Sequence, residues 1–149
     1  MKIILLLTLT LNLVGCGKNL LKDLFDHDTP YNGTRHTTDP IFIDYLDQLD
    51  MSHHTPIIFN ARGEGIAGTC TKWDNYRVIE IDREYWDTRG DTYRLELLAH
   101  ELGHCDYNLP HNNDTFLDNT LTCPESVMMD TNFGGSCWTN NFDHYMSIF

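Results

Sequence analysis

Two histidines and a glutamate form the strongest chemical pattern in this chain, His100-Glu101-Leu-Gly-His104. The histidines are four residues apart, and on a helix this spacing places both imidazoles on one face, about one turn apart. Two imidazoles in that position can bind one Zn²⁺. Glu101 lies between them and can act as a general base toward a water molecule at the metal. The pattern therefore indicates zinc-dependent hydrolysis.

A catalytic zinc ion needs a third protein ligand and keeps a fourth position for water. His111 and Glu125 are the two candidates, seven and twenty-one residues after His104. We favour His111, because a sharp return of the chain to the metal requires a residue that tolerates positive φ. Asn108 stands three residues before His111, and asparagine is second only to glycine in that tolerance. Glu125 remains the alternative, which would resemble the ligand set of gluzincin peptidases.

The segment from His100 to His111 resembles the metzincin pattern H-E-x-x-H-x-x-G-x-x-H. Asn108 stands in place of the glycine, and one extra residue separates the second and third histidines. Ser126-Val127-Met128 is similar to the core of the metzincin Met-turn. The resemblance covers residues 56–130. It implies that Met128 forms an apolar floor beneath the zinc site, that Val127 packs inward and that Ser126 shapes the turn.

The resemblance implies an enzyme that hydrolyses peptide bonds, with one Zn²⁺ per chain held by His100, His104 and His111. Zinc would activate a water molecule, and Glu101 would take its proton and deliver it to the leaving amine. A peptide or protein substrate would lie extended along an edge strand. Residues 65–73 and 77–82 are both candidates for that strand.

Two other interpretations stay open. A lipoprotein could bind zinc for stability alone and act only as a binding protein. An intact Glu101 and no obvious fourth ligand favour catalysis, since structural sites usually close the fourth position with cysteine or histidine. The acidic loop at residues 112–118 could bind calcium, but it does not follow an EF-hand pattern.

The N-terminus predicts export and lipidation. Residues 3–14 are mainly apolar, too short to span a bilayer and typical of a signal-peptide core. Leu13-Val14-Gly15-Cys16 resembles a bacterial lipobox. We therefore expect a signal peptide at 1–15, a lipidated N-terminus and tether at 16–38, and a zinc metallopeptidase-like domain at 39–149. Lipid on Cys16 would anchor the protein to the bacterial envelope, on the periplasmic or surface face of the outer membrane.

The charge of the chain is strongly acidic, at −12, and removal of residues 1–15 takes away only Lys2, which makes it −13. A phosphate backbone would be repelled, so nucleic acid is excluded as a partner. Membrane attachment should accordingly come from acyl chains and not from basic residues.

Four cysteines follow Cys16, and an even number in an exported protein predicts two disulfides. We favour Cys105–Cys123, because these residues stand beside the second histidine and just before the Met-turn. Cys70–Cys137 follows by elimination. Zinc ligation by cysteine is disfavoured because no C-x-x-C spacing occurs.

The hydrophobic pattern predicts both helices and strands, and the metzincin resemblance implies how they are arranged. We expect an α+β fold with a small twisted mixed sheet packed on an active-site helix, a metzincin-like minimal catalytic domain. A first helix should open at Asp39, an N-cap, followed by Pro40 in the first turn. Its buried face is predicted to contain Phe42, Tyr45, Leu46 and Leu49. Strands are predicted at 56–61, 65–73 and 77–82.

The last two strands should form a hairpin through Asp74-Asn75. Tyr85 and Trp86 are interpreted as core anchors. The active-site helix should run from Arg94 to about Cys105, with a buried stripe of Leu95, Leu98 and Leu102. Beyond this helix, a polar loop is predicted at 112–122 and a terminal helix at 140–149.

Overall fold

The computed structural model describes residues 37–61, 63, 65–73 and 76–149. All of them belong to one compact unit, residues 35–149. The predicted signal peptide, the lipidation site at Cys16, most of the tether and the turn at Asp74-Asn75 lie outside the described residues. The helices and strands are, in chain order, a 3₁₀ turn Pro40–Phe42, α1 Ile43–Leu49, β1 Ile57–Asn60, β2 Gly68–Trp73, β3 Tyr76–Asp82, α2 Arg83–Thr88, α3 Asp91–Cys105, β4 Thr115–Asp118, β5 Leu121–Pro124, α4 Gly135–Asn140 and α5 Phe142–Met146.

The three predicted strands form one mixed sheet in the order β1-β3-β2. β1 runs parallel to β3, with Ile57 opposite Ile79, and β2 runs antiparallel to β3, with Cys70 opposite the same residue. The predicted hairpin of the last two strands is confirmed. β3 is bonded on both sides, whereas β2 is an edge strand. The domain thus belongs to the α+β class, with a small mixed sheet and packed helices, as predicted.

The first helical segment begins where the sequence predicts it. Asp39 accepts a hydrogen bond from the N–H of Ile41 at 3.1 Å, which satisfies one of the free donors at the helix start. The buried side chains of Phe42, Leu46 and Leu49 point into the core. Helix-spaced apolar residues therefore give the expected packed face.

The helix that carries His100 and His104, α3, starts at Asp91, three residues earlier than predicted. Leu98 and Leu102 of the predicted stripe are fully buried, whereas Leu95 is only half-buried and Leu97 is buried instead. The helix is covered on more than one side, by β2 and β3 and by α1 and α4. A helix packed on several sides buries more than a single stripe.

For the C-terminal third, one prediction is wrong and another is confirmed only in part. Residues 112–122 are not a plain loop, because β4 and β5 form an antiparallel hairpin there, with Asn119 at a positive φ of 55° in the turn. The terminal helix predicted at 140–149 is present but shorter, as α5 Phe142–Met146, and a second short helix, α4 Gly135–Asn140, precedes it. Burial in this hairpin does not follow apolar character, since Leu117 and Leu121 are exposed, so the pattern of hydrophobic residues did not indicate its strands. No helix in the described ranges is long and apolar enough to cross a bilayer.

The two disulfides are Cys70–Cys105 and Cys123–Cys137. The predicted pairs, Cys105–Cys123 and Cys70–Cys137, are therefore wrong. Packing of β2 on α3 brings the Cα atoms of Cys70 and Cys105 to 5.4 Å, and packing of α4 on β5 brings those of Cys123 and Cys137 to 5.5 Å. Tertiary contacts decide the pairing, and closeness to the motifs in sequence does not.

Removal of either disulfide should destabilise the fold, and the larger loop should matter more. Cys70 and Cys105 close a loop of 35 residues, and Cys123 and Cys137 close one of 14. Loop-closure entropy predicts losses of about 4 and about 3 kcal/mol in the free energy of unfolding for the two Cys→Ser double variants. Urea unfolding measures both values. Non-reducing peptide mapping checks the pairing, and a cross-linked Cys105–Cys123 peptide would contradict it.

Candidate metal centre

Three histidine side chains converge on one point. His100 and His104 lie on α3, and His111 lies on the chain segment that follows it. The Nε2 atom of His104 is 3.0 Å from the Nε2 atoms of both other rings, and those of His100 and His111 are 3.3 Å apart. Among the described residues, these three form the group that could hold a metal ion.

The spacing of the three nitrogens suits a metal ion of tetrahedral preference. Zinc–imidazole bonds of about 2.0–2.1 Å at a tetrahedral angle place neighbouring ligand nitrogens roughly 3.3 Å apart. The observed separations are 3.0 to 3.3 Å. Three nitrogen lone pairs at these distances repel one another unless a cation lies between them. The donor set therefore fits a bound cation.

Each ring is oriented by an acceptor at its other nitrogen. The Nδ1 atom of His100 lies 2.8 Å from the carbonyl of Val127, and that of His104 lies 2.8 Å from the carbonyl of Leu109. The Nδ1 atom of His111 lies 2.7 Å from the carboxylate of Asp130. These acceptors assign the proton to Nδ1 and leave the Nε2 lone pair for the metal.

Burial keeps the two helix histidines neutral. It lowers the pKa of His100 to about 4, although the hydrogen bond to the Val127 carbonyl acts in the opposite direction. It also lowers the pKa of His104, against the hydrogen bond to the Leu109 carbonyl. A neutral imidazole is the form that binds metal, so both rings are ready to do so at neutral pH.

The turn after α3 brings His111 back to the helix. Asn108 has a φ of 57°, the left-handed conformation predicted for it from the sequence. Its side-chain oxygen accepts a hydrogen bond from Lys72 Nζ at 2.9 Å. The N–H of Leu109 donates to the carbonyl of Gly103 at 2.9 Å, while the Leu109 carbonyl faces His104. One short turn thus orients the second histidine and delivers the third.

The Met-turn-like segment packs beneath the centre. The hydroxyl of Ser126 accepts a hydrogen bond from the N–H of Met128 at 3.1 Å, and the intervening Val127 presents its carbonyl to His100. Met128 is 2% exposed and lies against Gly103, where an added Cβ would be only 2.4 Å from its Sδ. The glycine between the two helix ligands therefore admits the methionine.

Glu101 lies in the same cleft as the three histidines and is 4% exposed. The edge strand approaches it closely at Gly68, where an added Cβ would lie 3.0 Å from Glu101 Oε1. This contact places the glutamate side chain against β2. The acid and the metal-binding group thus share one solvent-accessible space.

Glu125, the alternative third ligand, is exposed and is not a member of the histidine group. Its N–H donates to the Asp114 carbonyl at 2.8 Å, and its own carbonyl accepts from His144 Nε2 at 2.9 Å. Among the described residues, no metal-binding group includes the acidic residues of 112–118.

The cleft around the site has a volume of about 530 Å³. Its walls are the approach to β2, the start of that strand, one side of α2 and α3, and the segment after the Met-turn. The lining residues are Gly65, Ile66, Ala67, Gly68, Thr69, Tyr85, Arg89, Leu97, His100, Glu101, His104, His111, Asp130, Thr131 and Asn132. Trp86 is a core residue as predicted, but Tyr85 is half-buried in the cleft wall.

Sequence reasoning missed Asp130, which orients His111. Carboxylates that accept from the outer nitrogen of a ligand histidine recur in metal sites, so an aspartate two residues beyond Met128 could have been proposed. It also missed Glu96, one turn before His100 on α3 and 1% exposed. The carboxylate of Glu96 accepts from the N–H of Phe133 at 2.6 Å and of Gly134 at 2.5 Å. It therefore ties α3 to the segment that begins with Asp130.

Comparison with protein families, with curated proteins and with solved structures finds nothing that matches this chain. The case for a function therefore depends on the residues and geometry of the site itself.

Replacement of the third histidine should weaken metal binding, and replacement of Glu125 should not. His111→Ala removes one of three converging nitrogens and should lower zinc affinity by more than a hundredfold. Asp130→Asn removes only the orienting carboxylate and should lower it by roughly 10- to 100-fold. Competition with a chromophoric chelator measures each affinity. If Glu125→Ala loses zinc and His111→Ala retains it, the ligand assignment is wrong.

Glu96 should make the metal-free fold less stable as pH rises from about 4.5 to 7. Burial raises the pKa of Glu96 to about 7, although the hydrogen bonds from the two backbone N–H groups act to lower it. Between pH 4.5 and 7 the folded state therefore holds a proton that the unfolded state has lost. The shift in pKa corresponds to a loss of about 3 kcal/mol in the free energy of unfolding, and this loss is complete above pH 7.

The control is Glu96→Gln, which cannot ionise. The neutral buried histidines act with the opposite sign over a similar pH range, but they are common to both proteins. Urea unfolding at pH 5 and pH 8 in the presence of a chelator therefore isolates the contribution of Glu96 as the difference between them. Identical pH dependence in the wild type and the variant would refute this assignment.

Proposed function

We propose that this protein is a zinc-dependent endopeptidase of the metzincin type. The observation that carries the proposal is the carboxylate of Glu101 in the same cleft as three convergent histidine nitrogens. An acid beside an open metal-binding group is what hydrolysis requires and what a purely structural site does not use. The order of motifs in the sequence supports the same class.

Zinc is the metal that we propose for the site. Three neutral imidazoles, each backed by an acceptor at Nδ1, match the histidine sites that zinc enzymes use. The four described cysteines are all in disulfides, so none of them can close the fourth position. When bound, zinc would supply Lewis acidity and a water molecule of lowered pKa.

Glu101 would act as the general base. Its carboxylate would take the proton from the attacking water and pass it to the leaving amine. For this the carboxylate must come within hydrogen-bond distance of both the water and the amine nitrogen. Enclosure by Gly68 on one side and the helix on the other limits the positions that the side chain can adopt. A side chain already held in one position loses less conformational entropy when it reaches the reactive geometry.

The substrate would lie extended along β2. Of the two candidates from the sequence, residues 77–82 form β3, which is bonded to a strand on each side. The segment 65–73 contains β2, whose outer edge borders the cleft at Gly68 and Thr69. A peptide that adds to this edge gains backbone hydrogen bonds and passes the histidine cluster.

The proposed location is the bacterial envelope, with a lipid on Cys16 as the anchor. It is supported by the lipobox-like sequence before Cys16, outside the described residues. The main alternative is a binding lipoprotein that uses zinc only for stability, and the buried Glu101 in the cleft favours catalysis over it.

Glu101→Gln should abolish peptide cleavage and leave zinc binding and folding intact. The amide retains the size of the side chain but cannot accept the proton, so we expect a loss of roughly a hundredfold to ten-thousandfold in kcat. Cleavage of a diverse peptide mixture, read by mass spectrometry, measures the change.

Glu125→Gln is the matched control, because the same change is made at an exposed position outside the histidine group. It should retain wild-type cleavage. Equal cleavage by the Glu101→Gln variant would exclude the glutamate as base. No cleavage by a folded, zinc-loaded wild type would favour the binding lipoprotein.

A further inference from the structure

The cleft wall opposite β2 carries a tyrosine and an arginine from one short stretch of chain. Tyr85 lies on α2, and Arg89 is the residue that ends that helix. The guanidinium carbon of Arg89 lies 4.9 Å from the ring centroid of Tyr85 and 5.8 Å from that of Tyr93. Contacts with two aromatic rings hold an otherwise exposed arginine at the cleft.

The described residues that line the cleft include one arginine, Arg89, and no lysine. Within the described ranges no carboxylate is close enough to form an ion pair with it, whereas Arg83 and Arg94 are paired with Asp87 and Asp91. The chain has a net charge of −12, so a cationic side chain in this cleft that is not paired with any described carboxylate is against the overall balance.

The hydroxyl of Tyr85 offers a second donor at the same wall. It accepts a hydrogen bond from Asn132 Nδ2 at 2.8 Å, which leaves its own hydrogen to donate. In the described part of the chain no acceptor takes that hydrogen. Burial raises the pKa of Tyr85, so the hydroxyl remains protonated at neutral pH. The guanidinium near the Tyr85 ring and the hydroxyl of that ring thus give one wall of the cleft two kinds of donor that a carboxylate can accept from.

We propose that Tyr85 and Arg89 form a carboxylate-binding subsite that selects substrates with an acidic group close to the scissile bond. The inference builds on the proposed peptidase function and specifies its substrate class. The acid could be a glutamate or aspartate side chain or the C-terminal carboxylate of a short peptide. Apart from the histidine centre, Arg89 is the cationic group that the described lining of the cleft offers to such an acid.

The test uses the full-length protein and a neutral ten-residue peptide with an amidated C-terminus. Each position in turn is Glu or Gln, and a further peptide carries Gln throughout with a free C-terminal carboxylate. We expect kcat/KM to favour Glu over Gln at one position by about tenfold, the range of a partly exposed charged pair. A preference confined to the free carboxylate would identify the C-terminus as the ligand.

Arg89→Gln should abolish the preference and leave cleavage of the neutral peptide unchanged within about twofold. Tyr85→Phe should reduce the preference, because one of two donors is lost. Arg83→Gln is the matched control, since Arg83 is an exposed arginine of the same helix that does not line the cleft. An equal loss on acidic and neutral peptides in Arg89→Gln, or no preference in the wild type, would overturn the subsite.

Binding separates the subsite from the peptidase proposal. Calorimetry with zinc-loaded Glu101→Gln should give a lower Kd for the acidic peptide than for its Gln counterpart, and Arg89→Gln in that background should remove the difference. If the wild type cleaves nothing while this binding difference persists, the peptidase proposal fails and the subsite stands. If cleavage occurs without any dependence on Arg89, the subsite fails and the peptidase stands.

Discussion

The geometry of the site depends on three hydrogen bonds that lie behind the metal-binding nitrogens. Val127, Leu109 and Asp130 present acceptors to the Nδ1 atoms of the three histidines. Leu109 lies in the turn after α3, whereas Val127 and Asp130 lie three residues apart in the segment between β5 and α4. An imidazole that donates at Nδ1 must expose its lone pair at Nε2. The fold must therefore bring these acceptors close to the C-terminal part of α3, and the chain that follows α3 supplies all three of them.

Packing around α3 explains why two positions are glycine, since a side chain at either of them would not fit. Gly103 lies between the helix ligands and lets Met128 approach, and Gly68 on β2 lets the edge strand approach Glu101. The disulfide Cys70–Cys105 joins the same strand to the same helix. The histidine face of α3, the proposed general base Glu101 and the edge that could hold a substrate are therefore parts of one tightly packed contact between β2 and α3.

Local chemistry made several features predictable from the sequence. The four-residue spacing identified His100 and His104, the conformational tolerance of asparagine placed the turn at Asn108, and hydrophobic periodicity located the first helix and the three-stranded sheet. The features that were missed depend on tertiary contacts. Disulfide partners are decided by which elements pack together, and the β4–β5 hairpin has two exposed leucines, Leu117 and Leu121, so its strands do not show a buried apolar face. Asp130 and Glu96 act across gaps in sequence of 19 and 37 residues, respectively, that no local pattern reveals.

The buried Glu96 has a consequence for the whole site. A carboxylate enclosed by the core is costly when ionised, yet here it accepts two backbone N–H groups from Phe133 and Gly134. Those donors lie just beyond Asp130 in the chain, so the same segment is held to α3 at one end by Glu96 and meets His111 at the other. The acid thus fixes the position from which Asp130 orients the third histidine. A neutral residue of similar size would fill the space without matching both donors, so the geometry of His111 would lose one of its supports.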